Sequence, residues 1–379
     1  MSGTSADGID VALVGITGQG FQLKTRLIGH THAPYPRPVR DAVLRAMNAD
    51  KISVAELSQL NFHLGDLYAE AVLHAQTSLR VKKLGLVGCH GQTVYHQGDH
   101  APHLGRKIAT TWQIGEGSIL AARLGTPVVS DFRPADMAAG GKGAPLVPFL
   151  DYALFRHKTR GRIVQNIGGI ANLTAIPAGA NPKHVLAFDT GPGNMLMDQL
   201  MHQLFGKPYD RNGAIAKRGT VIAAVLEDAV RNPYFRIKPP KTAGREEFGR
   251  EYAQAFLHQC KRANGDSAKE DIVATATALT AQSIAVAIRK FVLPRGKFHD
   301  YIVSGGGTQN RTLMTMLAAE TTELGLRLKP TDDFGIPSQA KEAVAFAVLA
   351  YQTWHRQPGN IPSATGAKKA AILGKVSYV

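Results

Sequence analysis

A carboxylate, a tight turn and a helix signal follow one another at Phe188-Asp189-Thr190-Gly191-Pro192-Gly193-Asn194, running on to Asp198. The apolar run Val185 to Phe188 stops at Asp189. Glycine lets a ligand approach the backbone closely, and Pro192 fixes its own φ. Strand, acid, turn and helix together hold one carboxylate at a strand's C-terminal end, where ligands bind in open α/β sheets. Asn194 can cap the helix and turn its start toward an anion. Taken alone, the stretch reads equally well as a connecting turn whose Asp only hydrogen-bonds the turn.

Other residues suited to chemistry sit at similar junctions. Met1 to Asp10 is rich in Gly, Ser and Thr, and leads into a strand, Val11 to Ile16, and a second, Phe21 to Ile28. Such a loop wraps phosphates with N–H groups and hydroxyls, or is simply a loose terminus. Ile167-Gly168-Gly169-Ile170-Ala171 repeats the hairpin between strands 162–166 and 172–176. Tyr301 to Ser304 runs into Gly305-Gly306-Gly307, with Asn310 beyond. His90 and Gln92 follow the short strand Lys83 to Cys89, which suits hydrogen bonding to a polyhydroxy ligand. The strand Thr126 to Ser130 ends at Asp131-Phe132-Arg133, with Asp136 close behind. His96, His100 and His103 lack helical pairing and make a poor metal site.

Helices and linkers must position these groups. Ser53-Val54-Ala55-Glu56 has the form of a capping box opening a long helix, with Leu57, Leu60, Leu64, Leu67 and Ala71 on its core face. Asp271 to Val292 reads as a buried apolar helix, and Gln339 to Arg356 as a helix with Lys341-Glu342 in its first turns. Ala343, Ala345, Ala347 and Ala350 permit close packing of that helix. Gly140-Gly141-Lys142-Gly143-Ala144-Pro145 is the expected join between two lobes.

At 379 residues the chain suits two domains, and 44% hydrophobic with 19% charged residues is ordinary globular composition. No long charge-free apolar run or leader stands out, so no membrane span and no secretion signal are expected. Cys89 and Cys260 form no CxxC, which fits a reducing cytoplasm. The net charge of +15 is spread out, its densest clusters being the pairs Lys82-Lys83 and Lys368-Lys369. That field attracts anionic small molecules, and no nucleic-acid partner is expected. No GxxxxGK[ST], GxGxxG after a strand, HExxH or GxSxG occurs, which argues against the common P-loop, Rossmann, zinc-protease and α/β-hydrolase sites.

Two glycine hairpins, strand-end acids and a late glycine triplet resemble the actin / Hsp70 / sugar-kinase superfamily. That implies an α/β, two-lobed actin-like ATPase fold, each lobe a mixed sheet flanked by helices, clamping ATP between them. Within it the chain resembles the anhydro-N-acetylmuramic acid kinase family. The matching runs are Met1-Ser2-Gly3-Thr4-Ser5 with Asp7-Gly8, Gly91-Gln92-Thr93-Val94, Asp131-Phe132-Arg133 with Asp136, Asn166 to Asn172, and Phe188 to Asn194. Pro239-Pro240-Lys241 with Gly244-Arg245-Glu246, Ser304 to Gly307 and Lys341-Glu342-Ala343 complete them. Two features depart from the family pattern. The family carries a short strand ahead of its MSGTS motif, implying either a start upstream of Met1 or a first lobe lacking an edge of its sheet. Lys142 stands where the family has Gln, at a sugar or interlobe contact.

The resemblance implies ATP-dependent opening of 1,6-anhydro-N-acetylmuramic acid by water at C1, with O6 phosphorylated to give N-acetylmuramic acid 6-phosphate in peptidoglycan recycling. It places the general base on Asp189, expected to be mostly ionised at neutral pH as an ordinary carboxylate, and a supporting acid on Glu342. ATP falls to Gly3, Thr4, Ser5, Ala6, Asp7, Gly8, Ile9 and Asp10, to Gly168 and Gly169, and to Gly305, Gly306, Gly307 and Asn310. Mg²⁺ enters on the ATP phosphates, without direct protein ligands. The sugar falls to His90, Gln92, Asp131 and Arg133. Lobe I spans 1–140 plus about 350–379, and lobe II spans 141–349. The implied setting is a cytoplasmic homodimer. The alternatives are a kinase for another sugar hydroxyl and a non-catalytic actin-like ATP-binding protein.

Overall fold

The computed structural model describes residues 1–3, 6–265 and 268–379. The chain forms two compact units, Met1–Leu154 with Ala340–Val379, and Phe155–Gln339.

Unit 1 opens with strands β1 (Gly8–Thr17) and β2 (Lys24–Pro34), antiparallel from Gly8↔Pro34 to Thr17↔Lys24. Alternate β1 residues Ile9, Val11 and Leu13 are buried, as a strand with one covered face requires. Helices α1 (Arg37–Asn48) and α2 (Val54–Ser78) follow. Ser53 is the N-cap of α2, but its side chain makes no capping bond, so the expected box is not closed. Next come β3 (Val87–Gly88), the hairpin β4 (Gln92–His103) and β5 (Arg106–Ile114), α3 (Gly117–Leu124), β6 (Val128–Ser130), α4 (Arg133–Ala138) and α5 (Pro148–Phe155).

Unit 2 holds β7 (Arg162–Ile167), β8 (Ile170–Ile176), β9 (Leu186–Pro192), α6 (Asn194–Phe205), α7 (Ala223–Val230), α8 (Arg245–Phe248) and α9 (Arg250–Asn264). Then come α10 (Lys269–Ala287), β10 (Asp300–Ser304), α11 (Arg311–Glu323) and β11 (Arg327–Pro330). The strands form one mixed sheet, β11-β10-β7-β8-β9. The pairs β7-β8 and β8-β9 are antiparallel, whereas β10 lies parallel to both β7 and β11. Helix α10 is apolar nearly all round, which a helix tolerates when buried. The stretch Lys269–Arg295 is long and apolar enough to cross a membrane, yet 83% of its most apolar window is buried inside the protein.

The chain returns to unit 1 through α12 (Lys341–Trp354) and β12 (Lys375–Ser377), which joins the sheet β12-β6-β3. Helix α12 crosses β3 closely: a Cβ on Gly88 would come within 2.5 Å of the Phe346 carbonyl and 2.8 Å of the Ala350 methyl. The unit boundaries thus fall near 154 and 340, not at 140 and about 350. The Gly140 to Pro145 loop lies within unit 1, where Asp136 accepts from Gly143 N–H at 2.9 Å, Asn360 at 2.6 Å and Thr365 at 2.7 Å. Lys142 pairs with Asp99 at 2.8 Å. The physical reason for the shift is a buried ion pair, Lys341 to Asp151 at 2.9 Å, which ties α12 to α5.

Lys341→Met breaks the buried ion pair with Asp151 and should destabilise the chain by about 3–5 kcal/mol, read from urea unfolding. The double variant Lys341→Met/Asp151→Leu should recover much of that loss. Equal losses in the single and double variants would show that the pair does not tie the helices.

Candidate active site

Asp189 lies within β9, which continues to Pro192, rather than at a strand end. It is the register partner of Asn172 on β8, beside a shift in register between Ala171 and Asn172. Gly191, at φ 151°, permits the continuation: a Cβ there would come within 2.7 Å of the Phe235 ring and 3.1 Å of the Ser283 hydroxyl. Three contacts hold Asp189. Its backbone N–H donates to the Lys241 carbonyl at 3.1 Å. Its backbone carbonyl accepts from the Tyr234 hydroxyl at 2.7 Å, and its side-chain Oδ2 accepts from Ala243 N–H at 2.8 Å.

Burial pushes the Asp189 carboxyl up to about 7; the Ala243 hydrogen bond and Lys241 pull the other way, and Glu247 and Glu246 add to the rise. The expectation of an ordinary, mostly ionised carboxylate is therefore corrected, and desolvation is the cause. Lys241 is buried with Nζ donating to the Tyr234 carbonyl at 3.0 Å, 4.2 Å from the Tyr234 ring centre. Burial and then Lys290 lower its pKa to about 8, while Asp189 opposes them.

The start of α6 meets the β7-β8 turn. Gly193 N–H and Met195 N–H donate to the Gly169 carbonyl at 2.9 and 3.0 Å, and Asn194 N–H to Gly168 at 2.8 Å. Gly193, not Asn194, is the N-cap. The expected anion at this helix start is thus replaced by peptide carbonyls. The hairpin glycines remain open: a Cβ on Gly168 would meet nothing nearer than 3.6 Å, and on Gly169 nothing nearer than 3.5 Å.

The late triplet divides in two. A Cβ on Gly305 would come within 2.6 Å of the Asn166 side chain and the Ile167 carbonyl, and one on Gly307 within 2.4 Å of the Ile167 side chain. Only Gly306 is open, with Asn194 Nδ2 its nearest neighbour at 3.8 Å. Asn310 caps α11, accepting from Leu313 N–H at 3.0 Å. Unit 2 therefore gathers the Gly168-Gly169 turn, Asn194 and Gly306 around one open surface. Asp198, on α6, has a carboxyl pushed up to about 7 by burial.

Unit 1 places the remaining expected residues. Thr4 and Ser5 lie outside the described residues. Ala6 N–H donates to the Gly3 carbonyl at 3.2 Å, with Ala6 at φ 50°. Asp7 is exposed, and Gly8, Ile9 and Asp10 are strand residues rather than loop. Asp10 holds His30 at 3.2 Å and His32 at 3.0 Å; burial would raise its pKa, but these hydrogen bonds outweigh it and leave it lowered. Gln92, expected on the sugar, is instead fully buried, donating to the Gly3 carbonyl at 3.1 Å and accepting from Tyr35 at 3.4 Å.

His90 and Arg133 are brought together. Arg133 Nη2 donates to His90 Nε2 at 3.0 Å, so the imidazole proton sits on Nδ1 and donates to the Gly91 carbonyl at 2.8 Å. Burial, and then Arg133, holds the His90 pKa well below its usual value. Burial lowers Arg133 to about 10, opposed by Glu342 and Asp136, and its Nε is buried without a hydrogen-bond partner among the described residues. Burial raises the Glu342 carboxyl; Lys341 lowers it, Asp10 raises it and Arg133 lowers it. Glu342 therefore belongs to unit 1, not to the expected second lobe. Asp131, at φ 55°, is ion-paired with Lys375, apart from the contacts that join His90 to Arg133.

Tyr234, Lys241 and Ala243 were not among the expected site residues. The Pro239-Pro240-Lys241 run was their only local signal, and nothing in it indicates contact with a strand some fifty positions earlier.

The family model described as "AnmK: Anhydro-N-acetylmuramic acid kinase" matches residues 1–379. The chain is 43% identical over 380 residues to an anhydro-N-acetylmuramic acid kinase of Bacillus cereus, covering all of this chain and 98% of that one. It is 44% identical to the same-named protein of a second Bacillus cereus strain, covering 100% and 96%. Among solved structures, component A of the (R)-2-hydroxyglutaryl-CoA dehydratase of Acidaminococcus fermentans aligns with a TM-score of 0.43 and 12% identity, covering 90% of this chain and 98% of that one, a likeness too slight to argue from. The full-length family match and identities above two-fifths along the whole chain show that it belongs to the anhydro-N-acetylmuramic acid kinase family.

Proposed function

We propose that this chain is an ATP-dependent kinase that opens 1,6-anhydro-N-acetylmuramic acid with water and phosphorylates O6, yielding N-acetylmuramic acid 6-phosphate and ADP in peptidoglycan recycling. The observation that carries the reading is a half-buried Asp189, with its carboxyl near 7, in the same unit as an open glycine turn. A base with a pKa close to the working pH combines a useful ionised fraction with real basicity.

In the anhydro sugar O6 is bonded to C1, so there is no free 6-hydroxyl. Asp189 takes a proton from water as the water oxygen bonds to C1. The C1–O6 bond breaks, and its electron pair leaves on O6. O6 then bonds to the γ-phosphorus of ATP, and ADP leaves. The Gly168-Gly169 turn and Gly306 offer backbone that phosphates and a nucleoside can approach closely. Magnesium enters on the nucleotide's phosphates, where it neutralises charge. Muramic acid carries a carboxylate, and the unfilled Arg133 N–H suits an anionic group. Neutral His90, held by Arg133, offers a polar edge to the sugar, and the resemblance gives Glu342 the part of a supporting acid. A cytoplasmic homodimer is the form the resemblance favours.

Reaction in ¹⁸O water should place the label at C1 of the product. Unlabelled product would instead indicate phosphorylation of an existing hydroxyl, as in a kinase for an ordinary sugar. Asp189→Asn should lower kcat by roughly 10²–10⁴-fold with the anhydro sugar and ATP; full activity would remove Asp189 from the role of base.

The base works only when ionised, so kcat/KM should fall as pH falls through about 7. Lys241 favours the ionised form, so Lys241→Met should move this acid limb to higher pH. A limb that stays in place, with activity retained, would separate Lys241 from the tuning of Asp189.

A further inference from the structure

The fold of unit 2 gathers positive charge that the sequence spreads out. Segments 156–162, 177–185, 294–299 and 325–330 hold nine Lys and Arg side chains and no Asp or Glu. Backbone hydrogen bonds set them side by side, at the starts of β7, β9, β10 and β11. His299 N–H donates to the Gly161 carbonyl at 2.8 Å, Arg327 N–H to the His299 carbonyl at 2.9 Å, and Gly179 N–H to the His157 carbonyl at 2.9 Å. Arg162 and Arg327 are both register partners of Asp300, one on each side of β10.

Asp300 answers part of this charge from inside. Its buried carboxylate accepts from Arg160 at 2.7 and 2.9 Å, and pairs with Arg162 and Lys329 at 3.4 Å each. Glu320 and Glu323, in the last turn of α11, also lie toward this end, with Arg289 in Coulombic reach of Glu320. Lys158, Lys183, Arg295, Lys297 and Arg327 are left exposed, with no ion pair among the described residues. Like charges brought together repel one another and add nothing to the fold. Nor do they serve the glycine turn. Gly168 follows the far end of β7, and the six residues of that strand put about 20 Å between its ends. The screening length at physiological salt is about 8 Å, so little of the attraction reaches the turn.

The arrangement of these cations narrows the partner. From β11 to β9 they span the five strands of the sheet, about 19 Å. They come from separate loops, so they form an array spread over an area, not a single track and not a helix that could enter a groove. None of the four segments carries an exposed large apolar or aromatic side chain on which a nucleic-acid base could stack. A layer of acidic lipid headgroups requires neither groove nor stacking, only positive charge close to the surface. We propose that this end of unit 2 is a docking face for a bilayer surface rich in acidic phospholipid, held by headgroup charge without insertion.

The test sediments the full chain with vesicles of equal parts phosphatidylcholine and phosphatidylglycerol, and with vesicles of phosphatidylcholine alone. Binding is expected to the acidic vesicles only, and should be lost in about 1 M salt, where the screening length falls to about 3 Å. Each Lys or Arg at an acidic bilayer is worth about fivefold in partitioning, so K158Q/K183Q/R295Q/K297Q/R327Q should bind roughly a hundredfold or more weakly. A control, K24Q/K51Q/K82Q/R106Q/K107Q, removes the same charge from exposed positions of unit 1 and should bind as the unaltered chain does. The readout is independent of kinase activity, so it stands whatever reaction the chain performs. Absence of binding to the acidic vesicles overturns the proposal, as do equal losses in the two variants. So does a higher affinity for duplex DNA or RNA than for the acidic vesicles at the same salt.

Discussion

Partial withdrawal of the Asp189 carboxyl from water is the constraint on which the candidate chemistry depends. A carboxylate in water is a weak base, and one buried without any partner is simply protonated. Here desolvation raises the pKa, while a single N–H from Ala243 and the nearby Lys241 limit the rise. The opposing effects leave the group close to neutrality. Lys241 can do this although burial has weakened its own hold on a proton, because three aromatic rings, Tyr234, Phe291 and Phe188, lie within 6 Å of its Nζ. A cation placed over aromatic faces retains charge in a site that would otherwise exclude it.

The same economy of groups governs the turn. The first N–H groups of a helix normally lack partners and attract anions. In α6 they are occupied by the Gly168 and Gly169 carbonyls, so the helix start acts as a clamp on the hairpin. In unit 2 the backbone left open to an anion is therefore the glycine surface and not the helix end. The triplet follows the same division. Gly305 and Gly307 are small because β7 lies against them, and Gly306 is small with open space before it.

Much of this was legible where the determinant is local. An acid at the end of an apolar run, glycine pairs between strand signals and the apolar period of α10 each announce an element within a dozen residues. What escaped depends on distant partners. Tyr234 and Ala243 reach Asp189 across 45 and 54 positions, so neither its raised pKa nor its immediate neighbours can be read from the stretch around it. Gln92 and Asp131 have the right side chains for a sugar, but the fold gives Gln92 to the Gly3 carbonyl and Asp131 to Lys375. Glu342 was assigned with its sequence neighbours to the second unit; the buried Lys341–Asp151 pair draws its helix into the first.

Gln92 also shows that carbonyls near the two glycine-bearing segments are held by different means. In unit 2 the turn after β7 has its carbonyls fixed by the backbone of α6. In unit 1 the turn before β1 has its Gly3 carbonyl fixed by a side chain from β4, with Arg40 holding the Ala6 carbonyl at 3.2 Å. A carbonyl held from one side cannot rotate toward an incoming phosphate, whose negative charge it would repel. Pinning the acceptors is as necessary to an anion-binding turn as presenting the donors. A helix start holds the Gly168 and Gly169 carbonyls in unit 2, and Gln92 and Arg40 hold the Gly3 and Ala6 carbonyls in unit 1.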